Sequence, residues 1–165
     1  MFRYFLVFFF YILLSNSNAE VKEKIIQNLN ATKNLDFKFE QNINGKIENG
    51  HCTIEYPKKI FCEYTKGNDK ILVSNGKSLV IKTSTSYYIY PLKKTPLNLI
   101  LDKNFLINKI NHLEERIIDK NIINFTILDK DNKINIFFNN LTYDLIGWQN
   151  TDIYQNFNIT FLSSV

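Results

Sequence analysis

From Asp36 onward, apolar and polar residues alternate with a period of two: Phe37, Phe39, Gln41 and Ile43 against Lys38, Glu40 and Asn42. Successive side chains of an extended chain point to opposite faces, so this run predicts a strand buried on one side only. Asn44-Gly45-Lys46 supplies a turn, and the pattern resumes through Cys52, Ile54 and Tyr56, breaks at Pro57, and continues in Ile60, Cys62 and Tyr64. Asn75-Gly76 lies between apolar runs 71–73 and 79–81, which predicts a hairpin through a type I′ turn with positive φ at both central residues. Tyr88 and Tyr90 form another short strand. Further strands are expected at about 115–119, 122–128, 133–138, 142–148 and 153–161, with a turn at Asp129-Lys130-Asp131-Asn132-Lys133.

Two stretches keep a helical period instead. Val21, Ile25, Ile26 and Leu29 predict an amphipathic helix over 20–34. Thr95-Pro96 reads as an N-cap followed by proline at the first helical position, and Leu97, Ile100, Leu101 and Phe105 continue it as one helix. The order helix, strands, helix, strands predicts an α+β domain built on a mostly antiparallel sheet. With only five Gly and three Pro, and no linker or repeat, residues 20–165 read as a single domain.

The segment ahead of that domain, Met1 to Ala19, has the layout of a cleavable signal peptide. Arg3 is the positive n-region, Phe5 to Leu14 is an unbroken apolar run, and Ser17-Asn18-Ala19 offers small residues for cleavage. The run falls short of the roughly 20 apolar residues that span a bilayer, so a retained anchor is the weaker reading. No cysteine stands at the cleavage point to accept a lipid. The expected location is therefore outside the cytoplasm. The net charge of +4 is spread along the chain, without the basic arm or stripe that nucleic acid requires.

In an oxidising compartment Cys52 and Cys62 are candidates for a disulfide. A three-residue loop at Tyr56-Pro57-Lys58 pairs Glu55 with Lys59, Ile54 with Ile60 and Cys52 with Cys62. A two-residue loop at Pro57-Lys58 mixes apolar and polar faces, so the first register is favoured. Directly opposed residues have Cβ atoms about 4.5–5.5 Å apart, near what a bridge needs. The alternative is a pair of small buried side chains.

Catalytic groupings are scarce. His51 and Cys52 are neighbours, which alternation sends to opposite faces, and no second ligand cluster accompanies them; no metal or cofactor is expected. Glu114-Glu115 reads as a solvated edge beside Arg116, and Asp129 with Asp131 as turn residues lacking a calcium loop's closing Glu. No nucleophile elbow, phosphate loop or zinc signature occurs, so no catalytic residue is assigned. What abounds is apolar surface. Either it fills an ordinary core, or a curved sheet with helices over its concave side encloses an apolar cavity. Periodicity does not separate these.

Four segments in order carry a resemblance: Phe39-Glu40-Gln41; Gly50-His51-Cys52-Thr53-Ile54-Glu55-Tyr56-Pro57; Ile71-Leu72-Val73-Ser74-Asn75-Gly76-Lys77-Ser78-Leu79; and Tyr90-Pro91-Leu92 with Thr95-Pro96-Leu97. Together with Gly147-Trp148-Gln149 and Asp152, they resemble the outer-membrane lipoprotein carrier family LolA. The resemblance implies an incomplete antiparallel β-barrel, a strongly curved sheet whose concave apolar side is covered by helices. It implies a monomeric, non-enzymatic periplasmic chaperone that shelters lipoprotein acyl chains between inner and outer membranes. Implied partners are acylated lipoproteins, an inner-membrane LolCDE-type transporter and a LolB-type outer-membrane receptor. The expected cavity residues are Phe37, Phe39, Ile54, Ile60, Tyr64, Tyr88, Tyr90, Leu97 and Leu101.

Departures limit the transfer. The family's basic residue before the hairpin proline is Tyr56 here, with Lys58 and Lys59 following the proline instead. The usual C-terminal Phe-x-Phe and Pro-Pro-Gly segment has no counterpart before Val165, so either an edge strand is lacking or the sequence continues further. Lys58, Lys59, Lys93 and Lys94 are candidates to meet anionic headgroups or the transporter, although solvated loop lysines are the simpler account. Two other functions remain open: a lipid- or lipoprotein-binding sensor of the same fold, and a small exported hydrolase.

Overall fold

The computed structural model describes residues 16–65, 69–118, 120–129, 132–151 and 156–163. Most of the expected signal segment, Met1 to Ser15, lies outside these, as do Lys130, Asp131 and Asp152. The described chain is one antiparallel sheet of eleven strands with three α-helices and a 3-10 turn against it.

The strands are β1 (Asn34–Ile43), β2 (Lys46–Glu55), β3 (Lys59–Tyr64), β4 (Ile71–Asn75), β5 (Ser78–Lys82), β6 (Tyr87–Pro91), β7 (Arg116–Ile118), β8 (Ile122–Asp129), β9 (Asn132–Asn139), β10 (Leu145–Thr151) and β11 (Phe157–Ser163). Their spatial order is β6-β5-β4-β3-β2-β1-β11-β10-β9-β8-β7. The sheet does not close, because β6 and β7 end it without pairing to each other. This is the incomplete barrel the resemblance implies.

The alternation read from the sequence sets which side chains face inward. Phe37 and Phe39 on β1, Cys52 and Ile54 on β2, and Ile60 and Cys62 on β3 are all buried, while their neighbours Lys38, Glu40, Thr53, Phe61 and Glu63 are exposed. Ile123, Phe125 and Ile127 on β8 face Phe138, Ile136 and Ile134 on β9 and complete the core at the other end. Helices α1 (Asn16–Ala31), α2 (Leu97–Leu101) and α3 (Lys103–His112) cover this face, burying Ile25 and Leu29, then Ile100 and Leu101, then Leu106 and Ile110.

Four expectations are corrected. The first helix ends at Ala31 rather than 34: Asn34 already pairs with Glu55 in the sheet, and Lys103 donates to the carbonyls of Asn30 in the last turn (3.3 Å) and of Thr32 just past it (2.9 Å). The type I′ turn falls at Asn44-Gly45, with φ of 50° and 90°, and not at Asn75-Gly76, where only Gly76 has positive φ. There the Asn75 side chain accepts from Lys77 N (2.9 Å) and Ser78 N (3.0 Å), an arrangement that shapes the turn without positive φ at the asparagine. The single helix expected after Thr95-Pro96 is two, α2 and α3, broken at Asp102, whose carboxylate accepts from Phe105 N at 3.1 Å and starts the second. The Thr95 hydroxyl turns back to the Leu92 carbonyl (2.8 Å) instead of capping α2.

Candidate functional site

Rows of side chains run across the concave face from strand to strand. One row passes through Phe37, Cys52, Cys62, Leu72 and Ile81; the next contains Phe39, Gly50 and Tyr64; a third holds Gln41 with Thr160. Between these rows and α2 lies a cavity of about 250 Å³. Phe37, Phe39, Ile60, Leu72, Leu79 and Ile81 form its apolar floor, and Pro96, Leu97 and Ile100 its cover. Leu72, Ile81 and Leu97 are only half-buried, so the cavity reaches the surface on that side. Trp148 stands edge-on to Phe37 with ring centroids 6.4 Å apart and closes the far wall.

Cys52 and Cys62 are joined in a disulfide, in the register expected from the loop, and both cysteines line the cavity. Beside them Gly50 makes room for Phe39, whose ring also meets Tyr64 edge-on at 4.9 Å.

One end of the cavity is polar. The Tyr64 hydroxyl donates to Gln41 Oε1 (3.1 Å), and Gln41 Nε2 donates to Asn158 Oδ1 (3.0 Å) and Thr160 Oγ1 (3.1 Å). Burial, reinforced by the nearby charge of Glu48, pushes the Tyr64 phenol well above the usual range, so it serves as a donor. Behind it Glu48 is only 6% exposed yet ionised: burial opposes its charge, but hydrogen bonds and charge from Lys70 and Lys46 outweigh that and hold it below the usual carboxylate range. The Lys70 ammonium also lies 3.8 Å from the Tyr64 ring centroid. These contacts fix the phenol at the cavity's polar end.

The cover is tied to the β2–β3 loop through Lys58. Its backbone N–H donates to the Leu101 carbonyl at the end of α2 (3.0 Å), its ammonium pairs with Asp102 (3.0 Å), and its carbonyl accepts from Ser74 Oγ (3.0 Å). The tie therefore runs through the residue after the hairpin proline. Tyr56, in the position before it, is partly buried and packs against the core instead.

The nine expected cavity residues divide. Phe37, Phe39, Ile60, Tyr64 and Leu97 lie in the lining. Ile54 and Leu101 are fully buried core outside it. Tyr88 and Tyr90 share the concave face, opposite Ile81 and Leu79, but sit beyond the lining on the exposed edge strand. Gln41, Trp148, Asn158 and Thr160 also line the site, although none of them is among the expected cavity residues. Gln41 alone was legible, since it shares the parity of Phe37 and Phe39; the others come from strands more than 100 residues away along the chain. Among the described residues the lining contains no acid, histidine or lysine. Among the described residues no group of three or more His, Cys, Asp or Glu is placed to hold a metal, and no helix is long and apolar enough to cross a membrane. What the arrangement can do is hold an apolar chain with one polar end.

The family model for the outer membrane lipoprotein carrier protein LolA matches residues 30–165. No match is found among curated proteins. Among solved structures, the chain is similar to a LolA superfamily protein from Nitrosomonas europaea, with 8% identity, 89% of this chain and 91% of the other covered, and a TM-score of 0.42. It is also similar to the Mycobacterium tuberculosis lipoprotein LppX, with 12% identity, coverage of 89% and 95%, and a TM-score of 0.46.

Proposed function

The chain belongs to the LolA family, and from that premise we propose that it is a periplasmic chaperone that shelters lipoprotein acyl chains and carries them from inner to outer membrane. The observation that carries this reading is the apolar cavity of about 250 Å³ under α2, bounded at one end by the Tyr64–Gln41 network. Each methylene withdrawn from water is worth about 0.8 kcal/mol, so an acyl chain gains much by entering and needs an equally apolar acceptor to leave. The polar end suits the ester and amide groups at the head of an acylated cysteine: hydroxyl and amide side chains recognise carbonyl oxygens without charge. A LolCDE-type donor and a LolB-type receptor are the corresponding partners, and residues 1–19 are the export signal.

Trp148 is the chain's single tryptophan and lines the cavity, which gives a direct test. An acyl chain brominated along its length should quench Trp148 fluorescence on binding, and Leu97→Trp or Ile60→Trp should abolish uptake by filling the space. Native mass spectrometry of the protein extracted from periplasm should find acylated cargo, and acceptor membranes should remove it. Binding without transfer would assign a sensor role, and turnover of an ester substrate a hydrolase. Absence of both cargo and quenching would overturn the reading.

A further inference from the structure

We propose that the β6 edge is a membrane-docking surface for anionic lipid bilayers. Tyr87, Tyr88, Ile89 and Tyr90 are 61%, 48%, 59% and 41% exposed, so this strand displays apolar side chains on both faces. β6 also ends the sheet, and one of its backbone edges has no strand neighbour among the described residues. An exposed apolar edge is ordinarily a hazard that proteins suppress or use.

Charge selects the occupant. Between Asp69 and Asp102 the chain carries Lys70, Lys77, Lys82, Lys93 and Lys94 and no acidic residue. Lys70 is taken up by Glu48; the other four are exposed and make no ion pair among the described residues. They bracket the aromatic strand. Lys77 and Lys93-Lys94 stand together at one end, where Leu92 N donates to the Lys77 carbonyl (2.8 Å), and Lys82 stands at the other, paired in register with Tyr87. Tyrosines sit where apolar and aqueous phases meet, and lysines above them engage anionic headgroups. A peptide added as a strand would occupy the backbone edge but leave four cations without partners. A bilayer surface satisfies the phenols, the cations and, in its headgroup layer, the free backbone groups together.

The position adds a consequence. Tyr88 and Tyr90 continue the rows of Ile81 and Leu79, two residues of the cavity floor, so docking here brings the concave face to the bilayer. The surface is independent of what fills the cavity, and its test does not involve cargo.

The test is sedimentation of the purified protein with vesicles of phosphatidylethanolamine containing phosphatidylglycerol, against phosphatidylcholine alone. Binding is expected to the anionic vesicles only and to weaken with salt. K93Q/K94Q should lower the affinity about tenfold or more, since each lysine near an anionic surface is worth about fivefold. Y88S/Y90S, at exposed positions that leave the core intact, should remove most binding. K120Q/K133Q, which deletes the same charge from the other end of the sheet, should bind like the unaltered protein. No binding to anionic vesicles, equal loss in K120Q/K133Q, or a salt-resistant dimer that Y88S/Y90S dissolves would each overturn the assignment.

Discussion

The Phe39 ring occupies the space over Gly50: a Cβ built on that glycine would lie 2.7 Å from Phe39 Cε1 and 2.8 Å from Cζ, and would also overlap the Glu63 carbonyl oxygen. The Gly50–Phe39 register pair thus lets an aromatic ring lie on the cavity floor instead of standing into it. Gly50→Ala should destabilise the fold by about 1–3 kcal/mol, the usual range for overpacking. It should also push Phe39 toward the cavity and weaken acyl-chain uptake more than Phe39→Leu does. Urea denaturation followed by Trp148 emission, together with the quenching titration, measures both effects.

The bridge between Cys52 and Cys62 closes a small loop, sequence separation 10. In the chain-entropy account such a loop contributes about 2–3 kcal/mol by restricting the unfolded chain. Reduction should therefore lower the urea midpoint without changing the paired register, because Ile54–Ile60 and Glu55–Lys59 still align the hairpin. The double variant Cys52→Ala/Cys62→Ala should match the reduced protein in stability. It should also enlarge the floor of the cavity, seen as a higher affinity for bulkier apolar probes.

Asp102 holds two elements at once: it accepts from Phe105 N at the start of α3 and pairs with Lys58 from the β2–β3 loop. The cap is worth about 1 kcal/mol, and the partly exposed pair between 0 and about 1 kcal/mol. Asp102→Ala should then cost about 1–2 kcal/mol, while Asp102→Asn keeps the cap and costs less. Amide exchange should rise at Phe105 and in α2 for the alanine variant, and chiefly in the β2–β3 loop for Lys58→Met.

The period of two placed β1, β2 and β3 on the correct faces, down to the Cys52–Cys62 pairing, because one face meets the core and the other water. The same period does not decide between Leu72, Leu79 and Ile71, Val73, Val80, because both faces there are apolar. The structure turns Leu72 and Leu79 into the cavity and leaves Val73 and Val80, in register with Phe61 and Ile89, on the convex side. Asp102 broke an otherwise continuous helical period because its side chain satisfies a backbone donor that a through-running helix would have bonded itself. The polar end of the cavity was beyond local reading: Gln41 meets Asn158 and Thr160 only because β1 pairs with β11 across nearly the whole chain. Tyr88 and Tyr90 show the limit of parity alone. It gives the face but not whether a covering helix reaches that far.

Glu48 makes the protein acid-sensitive. Its carboxyl is held below the usual value of 4.5 in the fold, so its pairing with Lys70 and Lys46 stabilises fully above that pH and is lost as pH falls through the depressed value. The urea midpoint should fall below pH 4.5 more steeply in the unaltered protein than in Glu48→Gln. That variant should already be weakened at neutral pH, because it leaves partly buried Lys70 without its counter-charge. Equal acid slopes in the two proteins would remove Glu48 from the account.

At the alkaline end Tyr56 supplies the opposite sign. Burial raises its hydroxyl to about 12 from an ordinary 10.0, and that hydroxyl is buried without a hydrogen-bond partner among the described residues. A raised value means that the neutral phenol is the form the fold accommodates, so stability is complete below pH 10.0 and declines as pH rises toward 12. Tyr56→Phe keeps the ring against Lys103, whose ammonium lies 5.6 Å from its centroid, and deletes only the unsatisfied polar atom. Leaving such a group unpaired costs about 1–3 kcal/mol, so the variant should be at least as stable as the parent at neutral pH. It should also resist alkaline unfolding further than the parent does. A loss of stability in Tyr56→Phe at neutral pH would mean that the hydroxyl is hydrogen-bonded after all, through ordered water in the groove beside Pro57 and Lys103.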